Sequence, residues 1–147
     1  MRILGLDVGR KRIGLAVSDP REIVSEPLGA IEYRGEEEFF SKLIPLLKEK
    51  EIGGIIVGFP LNLDGTIGRE SGKILVFIEK LKDKISLPVK KWDERFTTKI
   101  ATDLLIKADI SRRKRKKLVD EISAAVILQS YLDSRNVEKI ATTNEHE

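Results

Sequence analysis

Apolar positions along the chain alternate between short runs of strand type and longer stripes of helical period. Arg2 to Asp7 carries Ile3, Leu4 and Leu6 and reads as a buried strand that closes on an acid. A second run, Arg12 to Ser18, follows after only Val8-Gly9-Arg10-Lys11, so the two form a hairpin. Asp19-Pro20-Arg21 is a turn, and a third strand within Glu26 to Tyr33 extends the pair into an antiparallel meander. The period then changes. Glu36 to Glu51 places Phe39, Leu43, Leu46 and Leu47 on one helical face, with acids at its start and Pro45 as an expected kink. Gly53 to Gly58 is a wholly apolar strand of the parallel, doubly covered kind. Phe59 to Gly68 is a loop of turn residues. Arg69 to Lys84 is a second helix, with Ile74, Phe77, Ile78 and Leu81 at helical spacing, and Leu87 to Trp92 is a fifth strand. Thr97 or Thr98 caps a short helix through Lys107, and Ser111 to Lys117 is a basic segment. Leu118 to Arg135 is the last helix, apolar round nearly its whole circumference and so expected to be buried. Residues 136–147 read as a polar tail.

The order β-β-β-α-β-α-β-α-α predicts an α/β fold with a five-stranded mixed sheet. Strands one to three are antiparallel, strands four and five are parallel, and helices cover both faces. Strands one, four and five are expected at the centre. The 147 residues suit a single domain, 1–147, with one core.

Composition narrows the chemistry. Hydrophobic residues make up 41% and charged residues 35%, no apolar run reaches bilayer length, and the first residues lack a signal-peptide pattern. The expectation is a cytoplasmic protein without membrane contact. There are no cysteines and one histidine, His146, which excludes disulfides, thiolate metal sites and histidine-based dyads. Any metal must be held by oxygen, which points to Mg²⁺ or Mn²⁺. The net charge of +3 hides a local asymmetry: Arg112, Arg113, Lys114, Arg115, Lys116 and Lys117 are consecutive. Cations oppose the dipole at a helix amino terminus, so this run points to phosphate binding rather than to helix stabilisation. Arg10, Lys11 and Arg12 form a second basic group, either a phosphate contact beside Asp7 or an exposed hairpin tip.

Three acids stand where acids are costly. Asp7 ends a core strand. Asp93 and Glu94 follow the fifth strand, and in open α/β sheets ligands bind beyond the carboxyl ends of the strands. Asp120 and Glu121 lie on the last helix, and periodicity does not choose between them. Three carboxylates about 4 Å apart would repel by roughly 4 kcal/mol per pair at an effective dielectric near 20. The sum, about 12 kcal/mol, rivals the stability of a whole domain. Such a cluster persists only when protons or cations neutralise it.

Four stretches, in order, resemble the YqgF (RuvX) nuclease family: Gly5 to Asp19, Val57 to Gly68, Asp93 to Thr98, and Val119 to Gln129. The resemblance implies an RNase H-like fold and an acidic triad of Asp7, Glu94 and Asp120, which selects Asp120 over Glu121. It implies a metal-dependent phosphodiesterase that processes the 5′ end of pre-16S rRNA, with Holliday-junction resolution as the alternative through kinship with RuvC. The partner is then nucleic acid, RNA favoured and branched DNA the other choice, and the protein a monomer or homodimer. Asp93 or a phosphate oxygen is expected to complete the metal shell. Asn62 shapes the substrate groove, and Arg95 holds phosphate or neutralises a neighbouring acid. Two other classes compete. An ATP-dependent phosphotransferase of actin type needs a duplicated domain, for which the chain is too short. A nucleic-acid-binding module without catalysis has no need of the acids.

Overall fold

The computed structural model describes residues 1–62, 64–94 and 122–136. Strands β1 (Arg2–Val8), β2 (Arg12–Ser18) and β3 (Ser25–Glu32) form the antiparallel meander, with Asp7 opposite Gly14 and Leu15 opposite Gly29. Strand β4 (Ile52–Phe59) joins the free side of β1 in parallel, and β5 (Val89–Asp93) joins β4 in parallel. The order is β3-β2-β1-β4-β5. Strand number and directions are those expected from the sequence. The fifth strand, however, lies at an edge rather than at the centre. The hairpin to β2 occupies one side of β1 and β4 takes the other, so the next strand is left an edge, and the crossover through α2 sets it beside its neighbour in the chain, β4.

One face of the sheet is covered by α1 (Glu36–Glu49) and α2 (Arg69–Lys84). Phe39, Phe40, Leu43 and Leu47 of α1 and Ile74, Phe77, Ile78 and Leu81 of α2 pack with Leu4, Leu6, Leu15 and Val57 in one apolar cluster. Helix α1 stops two residues short of the expected Glu51. Lys50 caps it, and Glu51 turns into the left-handed region at φ 54°. Pro45 sits inside a continuous helix. It removes one backbone bond without ending the element.

The opposite face is covered by α3 (residues 122–136). Ala124, Ile127, Leu128, Tyr131 and Leu132 bury against Ile3, Ala16 and Ile56. The expectation of a helix buried all round is not met over the described residues. Ser130 and Asp133 are exposed and Val126 is half-buried, so α3 is a one-sided layer. Its direction follows from its contacts. Tyr131 and Arg135 stand by Met1 and Ile3, whereas Ala124 and Leu128 stand by Gly5. Helix α3 therefore runs antiparallel to β1, its amino end toward Asp7. The β2–β3 connection fastens its other end: the Ser25 N–H donates to Gln129 Oε1 at 2.8 Å, and Gln129 Nε2 donates to the Ile23 carbonyl at 2.9 Å. The short helix expected through Lys107, the basic segment Ser111 to Lys117 and the tail beyond Asn136 lie outside the described residues.

Candidate active site

Side-chain parity decides what meets what. Along β1, Ile3 and Gly5 face α3 while Leu4 and Leu6 face α1 and α2, so Asp7 also faces α3. Along β5, Trp92 packs on the α3 side, and Glu94 shares its parity. The Glu94 N–H donates to the Phe59 carbonyl at 3.2 Å, which carries the β4–β5 ladder one residue past β5. Both acids therefore stand at the carboxyl ends of parallel strands, on one face, with β4 between them. Gly58 is the β4 residue on that face, and its missing side chain leaves room for the Glu94 carboxylate and Ile127.

The electrostatics agree with the geometry. The Glu94 carboxyl is pushed up to about 7, first by burial and then by the charges of Asp7, Glu70 and Asp93. Glu94 thus keeps its proton to near neutrality chiefly because it is buried, and the acids that share its surroundings add to the effect. Glu70 escapes the sequence reading. It is an exposed residue in the first turn of α2, where acids commonly serve only the helix dipole. The signal that points to it is positional: α2 starts from the loop that leaves the carboxyl end of β4.

Of the other expected site residues, Arg10, Lys11 and Arg12 are exposed at the β1–β2 tip. Asn62 is engaged within its own loop, where its N–H donates to the Thr66 carbonyl and its amide Nδ2 to Thr66 Oγ1, both at 2.9 Å. Trp92 sits edge-on to Tyr131 with ring centroids 5.4 Å apart and donates to Ser130 Oγ at 3.2 Å, so it anchors β5 to α3. Arg95, Asp120 and Arg112, Arg113, Lys114, Arg115, Lys116 and Lys117 lie outside the described residues. Among the described residues, no group of three acidic or histidine side chains is placed to hold a metal ion by itself. The donors present, Asp7 and Glu94, are hard oxygen ligands in a negative field, and that donor set fits Mg²⁺ or Mn²⁺.

Comparison with known proteins places this arrangement. Over 134 residues the chain is 50% identical to a Desulforamulus reducens protein named "Putative pre-16S rRNA nuclease", covering 91% of this chain and 98% of that one. It is 48% identical over 134 residues to a protein of the same name from Clostridium acetobutylicum, covering 91% and 99%. Among solved structures, Thermus thermophilus RuvC in complex with Holliday junction substrate superposes with a TM-score of 0.55 at 14% identity, covering 92% of this chain and 95% of that one. The fowlpox virus Holliday junction resolvase gives 0.52 at 17% identity, covering 91% and 99%. These two likenesses establish a RuvC-like, RNase H-type fold. The profile described as "RuvX: Holliday junction resolvase" matches residues 1–134, and with nearly full-length relatives at about half identity, the chain belongs to the RuvX family.

Proposed function

We propose that this protein is a metal-dependent nuclease that hydrolyses a phosphodiester bond at the 5′ end of a 16S rRNA precursor, with Asp7, Glu94 and Asp120 as the acids that hold Mg²⁺ or Mn²⁺. One observation carries the reading: Asp7 and Glu94 stand on the α3 side of one sheet end, close enough for the Asp7 charge to act on Glu94, whose carboxylate fills the room left by Gly58. The names of the relatives support the substrate. Helix α3 runs with its amino end toward Asp7, which supports Asp120 as the third acid.

The described residues suggest how the site works. Burial and neighbouring charge keep the Glu94 carboxyl able to hold or release a proton near neutral pH. Divalent ions, when bound to such carboxylates, supply an activated water and neutralise charge on the leaving oxygen. Arg10, Lys11 and Arg12 lie beyond the end of β1 that carries Asp7, where they can hold phosphates flanking the scissile bond. Arg95 and the run Arg112 to Lys117 extend that grip along the strand. Work on a ribosomal precursor would place the protein in the cytoplasm.

The test is side-by-side cleavage of a 16S precursor and a four-way DNA junction in Mg²⁺, with Asp7→Asn as control. Accurate trimming of the RNA by the unmodified chain alone supports the proposal. Symmetric cutting of the junction by a two-fold dimer, with the RNA left intact, would transfer it to junction resolution, the activity in the family's description. Equal cleavage by Asp7→Asn would refute the site.

A further inference from the structure

The sheet end that carries Asp7 also carries a basic surface that the acids do not explain. Two hollows meet there. One, of about 450 Å³, is lined by Arg10, Lys11, Arg12, Glu32, Tyr33 and Arg34. The other, of about 200 Å³, is lined in part by Gly9, Tyr33, Lys73, Val76 and Lys80. Tyr33 borders both, so the hollows form one strip running from the β1–β2 tip to α2.

The strip is rigid and carries excess positive charge. The Gly9 N–H donates to the Arg12 carbonyl at 2.9 Å and the Tyr33 N–H to the Lys11 carbonyl at 2.8 Å, which fixes the backbone of the tip. Glu32 pairs with Arg34 at 2.7 Å, and Lys80 pairs with Glu36 at 3.4 Å. Arg10, Lys11 and Lys73 have no ion-pair partner among the described residues. The Tyr33 ring is held by Phe39 at a centroid distance of 5.5 Å, so it is a pre-set platform. Cations spaced along an open groove on a fixed backbone, with an aromatic ring among them, suit a single nucleic-acid strand. A small anion would find no enclosure there. Val8 and Gly9, which border the strip, directly follow Asp7 in the chain.

We propose that a strand leaving the Asp7–Glu94 site crosses the β1–β2 tip and lies along this strip, with Lys73 and Arg34 (the latter exchanging its exposed Glu32 partner for phosphate) holding backbone phosphates on either side of Tyr33, whose ring takes a base. The path rests on the nuclease reading for its starting point, and neither Lys73 nor Arg34 belongs to the acidic site.

The experiment measures binding of a short labelled RNA strand to the full chain carrying Asp7→Asn, which keeps the strand intact, across a salt series. Adding Arg34→Ala and Lys73→Ala flattens the log–log salt slope by about 1.4, roughly 0.7 for each phosphate released, and weakens binding roughly 10-fold or more at low salt. The charge-matched pair Lys48→Ala and Lys82→Ala, both exposed and outside the strip, leaves slope and affinity unchanged. Tyr33→Phe retains affinity, whereas Tyr33→Leu weakens it roughly 10-fold. Identical slopes for the two double variants would overturn the path, and equal affinity of Tyr33→Leu and Tyr33→Phe would remove the stacked base. If the strip behaves as expected but the unmodified chain cleaves no nucleic acid with Mg²⁺ or Mn²⁺, the nuclease reading fails and the binding surface stands. If cleavage is normal and the strip variants bind like the controls, only the path fails.

Discussion

The Glu94 carboxylate lies against the bare Cα of Gly58 on the neighbouring strand. A methyl group at Gly58 would collide with Glu94 Oε2 and come within 2.7 Å of Ile127 Cδ1. Both atoms end flexible side chains, so the cost lies in moving the Glu94 carboxylate and repacking Ile127, which is 1% exposed. Gly58→Ala is therefore expected to destabilise the fold by about 1–3 kcal/mol through overpacking. It is also expected to lower cleavage about 10-fold or more, because the acid loses its position. Denaturant melts and single-turnover cleavage read the two effects separately. Wild-type values in both would show that the crowding is harmless.

The raised Glu94 carboxyl makes stability depend on pH. Unfolded, the group loses its proton near 4.5; folded, it keeps the proton until about 7. The unfolded chain therefore binds fewer protons between those values, and stability falls as pH rises through the window. The loss is on the order of 3 kcal/mol. Glu94→Gln has no charge to bury, so in divalent-free buffer it is expected to melt above wild type at pH 8 and to match it below about pH 4.5. Parallel curves at every pH would contradict the assignment.

Asp7→Asn keeps the shape of the side chain and removes its charge. Cleavage is expected to fall at least about 100-fold in Mg²⁺ or Mn²⁺. Stabilisation of the protein by either ion is also expected to shrink, which a thermal shift with and without chelator detects. The two effects should appear together. A lost activity with an unchanged ion-dependent shift would detach Asp7 from the ion.

Ser18 tests the sheet away from any chemistry. Its hydroxyl is buried and accepts the Ile3 N–H at 2.8 Å. Ser18→Ala leaves that N–H without its partner and is expected to cost about 1–3 kcal/mol. Cleavage per folded molecule should be unaffected. Hydrogen exchange at Ile3 gives the local readout.

The sheet was legible in the sequence because each strand announces itself locally: the apolar runs are short, the hairpin link is tight, and glycines punctuate the rest. The place of β5 was not, since its edge position depends on which side of β1 is already taken, a fact of pairing rather than of pattern. The one-sided cover of α3 is hidden from the sequence for a similar reason. Val126 is apolar yet half-buried, and periodicity cannot tell an enclosed helix from one with an apolar outer surface. At the site, Asp7 and Glu94 were visible as acids ending strands. Glu70 was hidden because its role comes from the fold bringing the start of α2 to Glu94. Gly58 looked like one glycine among several, and only the neighbouring strand gives its missing side chain a purpose.

Among the described strands, both margins of the sheet discourage lateral growth. At one margin β3 carries Pro27, which offers no N–H, a register skip at Leu28, and Gly29 at φ 98°. At the other, β5 has five residues and exposes Lys90 and Lys91. Blunted margins of this kind keep strands of other molecules from adding on. Among the described residues, self-association is therefore better served by helices and loops than by the two sheet margins.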